Sequence, residues 1–385
     1  MKDHYPIVIV GSGFAGLCAA IKLKESGRDD FVVLERGSDV GGTWRDNTYP
    51  GAACDVPSHL YSFSFAPNPD WSRSFSPQAE IHAYLQRVSR EHDVLRHVRF
   101  DTEVTGATWV PDKQHWAIST SRGDLTTDVL VAGTGALSDP TTPDIPGLSS
   151  FQGTVFHSAR WDHSWSAKGR RVAVVGTGAS AIQFVPFVQQ DAEQLVLFQR
   201  TAPWVLPRMD RGLSKAERRA FARWPALQRA VRSAIYLGRE SHLIGFRYHR
   251  GILKLAERMA TKQLEAQVKD PALRAKLTPH FDLGCKRVLL SSTYYPALTQ
   301  PNASVVTDRI VEVVPSGVVT EAPDGTRSTH EVDSIVFGTG FHVTDPPVAD
   351  RIVVDGVSLA KHWATEGMQA HRGLTVAGFP NLFFL

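Results

Sequence analysis

Apolar positions fall into two textures that repeat. Ile7-Val-Ile-Val10 is an unbroken apolar run, as a strand buried on both faces needs. From Leu17 to Leu23 apolar residues recur at helical spacing, Gly27 ends that helix, and Phe31 to Leu34 forms a second run closing in Glu35. The strand and Gly-x-Gly pattern returns in Arg171-Val-Ala-Val-Val-Gly-Thr-Gly-Ala-Ser-Ala181, followed by a strand over Leu195 to Phe198, a second Rossmann unit. Strand, helix, strand used twice predicts an α/β chain with two Rossmann-like domains.

The other segments are weaker in pattern. Ser76-Pro77 predicts a helix start, with the helix running to about Glu91. Alternation in Val98–Val104, Thr108–Val110 and Trp116–Ser119 predicts a small antiparallel sheet, and Asp128 to Gly135 a strand entering a glycine turn. Pro140, Pro143 and Pro146 predict a stiff linker. Between about Met209 and Leu277 the periodicity is helical and the composition rich in Lys, Arg, Ala and Leu, with a capping box at Ser214-Lys-Ala-Glu217. From Pro279 the α/β pattern resumes, with a strand near Val305. Ser334 to Phe341 repeats the strand and glycine turn of Asp128 to Gly135, which predicts a return to the first domain. The expected division is a first domain over 1–142, a second over 143–208 and 279–330 with a helical insertion over 209–278, and the first domain completed by 331–385.

Composition narrows the function classes. In 385 residues, 42 basic and 39 acidic side chains leave a net charge of +3, so nothing asks for nucleic acid. The three cysteines, Cys18, Cys54 and Cys285, form no Cys-x-x-Cys pair, which argues against a disulfide framework or structural zinc; no metal site is expected. No run approaches the roughly 18 apolar residues of a membrane span, and a strand follows Met1 almost at once. A cytoplasmic protein without membrane insertion is expected, as a monomer or weak oligomer.

Gly11, Gly13 and Gly16 stand between a strand and a helix, with Glu35 about 20 positions on. This arrangement predicts a dinucleotide site: a tight turn, close backbone approach to a pyrophosphate, close helix–strand packing, and an acid for a ribose hydroxyl. Gly176 and Gly178, with Ala181 in the third slot, predict a second site. Its second strand ends in Gln199-Arg200-Thr201 where an acid would select NAD, and the fixed fork of Arg200 suits a 2′-phosphate, favouring NADP.

Two further runs carry the chemistry. Gly41-Gly-Thr-Trp-Arg-Asp-Asn-Thr-Tyr-Pro-Gly-Ala-Ala-Cys-Asp55 is too rich in glycine and aromatics for an ordinary connector. Phe151-Gln-Gly-Thr-Val-Phe-His-Ser-Ala-Arg-Trp-Asp162 reads as a joint between the two dinucleotide segments. Phe151, Gly153, His157, Trp161 and Asp162 resemble the fingerprint of the type I Baeyer–Villiger monooxygenases. Gly41, Gly42, Trp44, Tyr49, Pro50, Gly51 and Asp55 resemble a second signature of that family. The resemblance covers essentially the whole chain. It implies FAD in the first domain, NADPH in the second, and insertion of oxygen from dioxygen beside a ketone carbonyl to give an ester or lactone through a flavin peroxide. It also implies that Arg287 stabilises negative charge on oxygen and that Asp55 holds it. FAD contacts are implied at Gly42, Thr43, Trp44, Asp55, Tyr61 and Val104, and NADP contacts at Ser180, Thr201 and Lys286. The fingerprint residues would control linker geometry, with His157 no proton donor.

In the family a Gly-Pro turn and a flavin-facing helix follow the last strand, whereas this sequence stops at Leu385. A C-terminally truncated chain is therefore expected to hold FAD weakly and to turn NADPH mainly into peroxide. The nearest rival is a flavin-containing N- or S-oxygenase, which usually has Tyr or Phe at Trp161 and lacks the Trp44-to-Asp55 signature. A disulfide-type flavin reductase would need a redox cysteine pair that Cys18 and Cys54 do not offer.

Overall fold

A computed structural model describes residues 2–247 and 250–385, and the chain divides into two compact units. The first comprises 1–46, 79–141 and 341–385. Its sheet is centred on His4–Val10, paired in parallel with Phe31–Leu34 on one side and with Leu125–Ala132 on the other. Buried Val8, Ile9, Val32 and Val33 explain the unbroken apolar runs, since helix and loop cover both sheet faces. The helix Phe14–Glu25 follows the first strand and buries Leu17, Ala20 and Ile21. An antiparallel meander, Val104–Val110, His115–Thr120 and Leu125–Ala132, extends the sheet, with Trp109 edge-on to Trp116 at 5.5 Å in its core. Val98–Arg99 is not part of that meander; it pairs in parallel with Phe31–Leu34. Leu382–Phe384 joins Leu125–Ala132 in parallel.

The second unit comprises 47–78 and 142–340. Five parallel strands run in the order Ala303–Val306, Gln194–Phe198, Arg171–Val175, Ser334–Phe337 and Thr154–His157. The helix Ala181–Asp191 packs on them through Phe184, Val185 and Val188. Helices Lys215–Arg223, Pro225–Arg247, Arg250–Gln267 and Pro271–Leu277 occupy the expected insertion, and the Ser214/Glu217 capping box is formed in full.

Four further expectations change. Ser334–Phe337 does not return to the first unit: it hydrogen-bonds to Arg171–Val175 and Thr154–His157, so the crossing comes at Phe341. A third of the run read as a joint is the strand Thr154–His157, the edge of the second sheet. Residues 47–78, expected in the first domain, belong to the second unit, where side chains of the helix Ala181–Asp191 grip them. The helix expected from Ser76-Pro77 starts at Gln78, because the Ser76 hydroxyl bonds to Ser58 Oγ at 2.7 Å instead of capping.

Candidate functional site

In the first unit the three glycines have separable causes. Gly11 has φ +94°, and a Cβ there would come within 2.7 Å of the Gly133 carbonyl oxygen. At Gly16 a Cβ would lie 1.9 Å from the Gly11 oxygen, so only glycine lets this helix approach its strand. At Gly13 a Cβ would meet only Gly42 Cα, at 3.8 Å, leaving open space over the start of the helix Phe14–Glu25. Among the described residues that helix start has no side-chain cap and no acid in its first turn. A helix start without a side-chain cap, the helix dipole and an open backbone suit a pyrophosphate.

Glu35 is buried and already occupied. Its Oε2 accepts from Ser12 N and Oγ at 2.8 and 2.7 Å, and Oε1 accepts from Gly37 N and Arg45 at 2.8 and 2.7 Å. Burial opposes its charge, but Arg45 and the bonds from Gly37 and Ser12 outweigh it and hold the carboxyl below its usual range. The acid thus fastens the glycine turn, and a ribose hydroxyl would share oxygens that have about four acceptor positions between them. Gly42, Thr43 and Trp44 enter the short helix Thr43–Asp46 in this unit, and Val104 begins the meander there.

In the second unit Gly176 has φ +109°, and a Cβ there would lie 2.5 Å from the Gly338 oxygen; at Gly178 the nearest contact is 3.7 Å, again open. The helix opening at Ser180 and Ala181 has, among the described residues, no side-chain cap bond and no acid in its first turn. Arg200 is exposed at the end of Gln194–Phe198, and Thr201 accepts a bond from Thr177 Oγ1 through its carbonyl at 3.1 Å. Lys286 is exposed, its ammonium 5.0 Å from the Phe281 ring centre. Both glycine turns therefore fit a dinucleotide.

Arg287 and Asp55, 232 positions apart, form an ion pair in this unit, with Nη2 and Nε donating to one carboxylate oxygen, the latter at 3.1 Å. Half of the Arg287 side chain's surface or more is open, at 59%, so the guanidinium keeps donors for another acceptor. The loop that carries Asp55 is held along its length. Thr48 Oγ1 lies 2.7 Å from His163 Nε2. The amide of Gln183 accepts from Tyr49 Oη at 3.0 Å and from Ala53 N at 3.3 Å, and donates to Ala53 O at 3.0 Å. Arg208 donates to the carbonyls of Cys54 and Phe75 at 3.2 and 3.4 Å, its pKa drawn down by burial. Gly51, at φ +80°, is glycine because a Cβ would lie 2.3 Å from the Phe187 ring. Burial pushes the Cys54 thiol up to about 12, so it is no redox partner. Tyr61, on the same loop, is half-buried.

The fingerprint residues have local tasks. At Gly153 a Cβ would lie 2.3 Å from the Asp333 oxygen. Phe151 packs beside Ala173 and Ile335 against the second sheet. Trp161 packs on Phe156, Trp165 and Phe184 at 5.1, 5.8 and 5.4 Å. Asp162 accepts from Ser164 N and Oγ at 2.9 and 2.5 Å, closing a turn. His157 is buried, and burial with the Arg160 charge pulls its pKa down to about 4, so the ring is neutral near pH 7. Among the described residues no cluster of ligands could hold a metal, and no helix is long and apolar enough to cross a membrane.

Sequence reasoning missed Gln183, Arg208 and Phe187. Their partners lie 130 or more positions away, and no local spacing announces them.

The FMO-like family, flavin-binding monooxygenase-like, matches residues 5–216. A Baeyer-Villiger monooxygenase of Streptomyces coelicolor is 55% identical over 382 residues, covering 99% of this chain and 73% of the relative. One of Pseudomonas aeruginosa is 46% identical, covering 99% and 72%. Among solved structures, oxidized steroid monooxygenase bound to NADP superposes with a TM-score of 0.85 at 32% identity, over 100% of this chain and 80% of that one. The OTEMO complex with FAD and NADP gives 0.87 at 30% identity, over 100% and 80%.

Proposed function

Because the chain belongs to the flavin-binding monooxygenase-like family, among its Baeyer–Villiger members, we propose that it is an NADPH-dependent flavoenzyme that inserts one oxygen atom of dioxygen beside a ketone carbonyl, giving an ester or lactone. FAD, reduced by NADPH, supplies the activation of dioxygen. Gly11, Gly13 and the start of the helix Phe14–Glu25 would hold its pyrophosphate, with Glu35 fixing the turn. Gly176, Gly178 and the helix at Ser180 would hold NADP, with Arg200, Thr201 and Lys286 on its 2′-phosphate side.

The observation that carries the reading is the Arg287–Asp55 pair. Oxygen insertion beside a carbonyl places negative charge on oxygen, and a fixed guanidinium lowers its energy without reorganising. Asp55 occupies one side of the fork and so fixes its plane. His157, neutral near pH 7, carries no acidic imidazolium proton, which favours for it the task of shaping the edge of the second sheet. Three cysteines without a disulfide fit a cytoplasmic enzyme.

The FAD-loaded chain should convert a ketone to its ester when given NADPH and air, in competition with a thioether. Sulfoxide as the sole product would overturn the reading. Arg287→Ala is expected to keep flavin reduction within a few fold yet cut ester formation by about a hundredfold or more. Arg287→Lys should rescue poorly, since an ammonium lacks the planar fork.

A further inference from the structure

Gln183 lies in the first turn of the helix whose uncapped start would receive the nucleotide phosphates, three residues beyond Ser180. Its side chain points away from that task and grips the Asp55 loop. One oxygen accepts from both Tyr49 Oη and Ala53 N, while the amide nitrogen donates to Ala53 O. Taking both the N–H and the C=O of one residue holds the peptide units on either side of its Cα, much as a strand neighbour would. Phe187, one turn further along, closes over Gly51. Thus the helix start and the peptide two residues before Asp55 form one hydrogen-bonded body.

We propose that Gln183 is a positioning residue that couples nucleotide occupancy at this helix start to the placement of the Asp55–Arg287 pair. A phosphate drawn to the positive end of the helix dipole rests on a first turn already closed by Ile182 N to Gly178 O and Phe184 N to Ser180 O, and stiffens it. Through Gln183 that stiffness passes to Ala53 and thence to the carboxylate that sets the guanidinium plane. By reciprocity the pair must act back on nucleotide affinity. The inference rests on the reading above only in taking Asp55 and Arg287 as the working pair, and its test does not require turnover.

The test is a double-mutant cycle on the FAD-loaded chain, with NADP affinity read by titration calorimetry. Gln183→Leu keeps the bulk and removes every hydrogen bond, and should weaken NADP binding about fivefold, the worth of one ordinary hydrogen bond. Asp55→Ala in the parent should weaken it by a similar factor. In the Gln183→Leu background, Asp55→Ala should add less than about twofold. Equal effects of Asp55→Ala in both backgrounds, or none in the parent, would overturn the coupling. Gln183→Glu keeps the acceptor for Tyr49 and Ala53 N and should recover part of the affinity; recovery no better than leucine's would also count against it. If Gln183→Leu does not fold, Tyr49→Phe, which removes one hydroxyl and keeps the ring, should show the same non-additivity on a smaller scale. Should the parent bind NADP normally yet form no ester from any ketone, the proposed function fails while the cycle can still be read.

Discussion

The two glycine turns share strand, turn and helix, yet they meet their helices differently. In the first, Gly16 sits against backbone on two sides: a Cβ would lie 1.9 Å from Gly11 O, and one on Gly133 would lie 3.0 Å from Gly16 N. In the second, Ala181 holds the same slot, and its methyl faces Gly338, where an added Cβ would lie 3.1 Å away. Space denied on one side of the contact is conceded on the other. The strand ends diverge as well. Glu35 is buried under four donors, whereas Arg200 is exposed. One backbone design therefore carries two recognition chemistries, because the turn sees only phosphate while the residue after the second strand sees what is attached to the ribose.

Exchanging the third-slot residues should break this comparison most visibly. Gly16→Ala is expected to cost about 3 kcal/mol or more, as overpacking against rigid backbone does, and to abolish flavin retention on gel filtration. Acidification should sharpen it next. The folded pKa of His157, about 4, lies below its ordinary 6.5, so the unfolded chain binds the extra proton between these values. Stability should then rise with pH across that window, lie flat above about 6.5, and be lost as pH falls toward 4, by at most about 3 kcal/mol. Glu35, with its carboxyl held low, loses its contribution only further down, below its ordinary 4.5. Thermal melts of His157→Gln against the parent should show the difference shrinking between pH 6.5 and 4; parallel curves would remove His157 from the account.

Arg200→Ala comes third, raising the NADPH requirement about tenfold and leaving the NADH requirement nearly unchanged, since a charge-assisted bond contributes about 1.5–3 kcal/mol. Steady-state kinetics with both nucleotides decide it, and equal effects would count against this position. The smallest change is Ala181→Gly, about 1 kcal/mol in a denaturant melt, the reverse of the first exchange in both place and size.

Much of this was readable locally. The glycine turns, the capping box at Ser214 and the helical insertion depend on residues within a few positions of one another, where spacing determines geometry. What escaped depends on pairing. Ser334–Phe337 carries the same apolar run and glycine turn as Leu125–Ala132, and nothing in either run says which sheet will accept it. The Tyr49-Pro-Gly51 segment could be recognised as unusual, but its reason lies in Gln183 and Phe187, more than 130 positions away. The ion pair was expected only through family resemblance, since neither Asp55 nor Arg287 has a local pattern that selects the other.

The three thiols differ in access, and that offers an optical handle. Cys54 is buried with its thiol pushed up to about 12, Cys18 is partly covered and also raised by burial, and Cys285 alone is exposed. An alkylating dye at neutral pH should therefore settle on Cys285, two residues before Arg287. With no engineered cysteine, its emission would report in real time on the surroundings of the guanidinium as nucleotide is added.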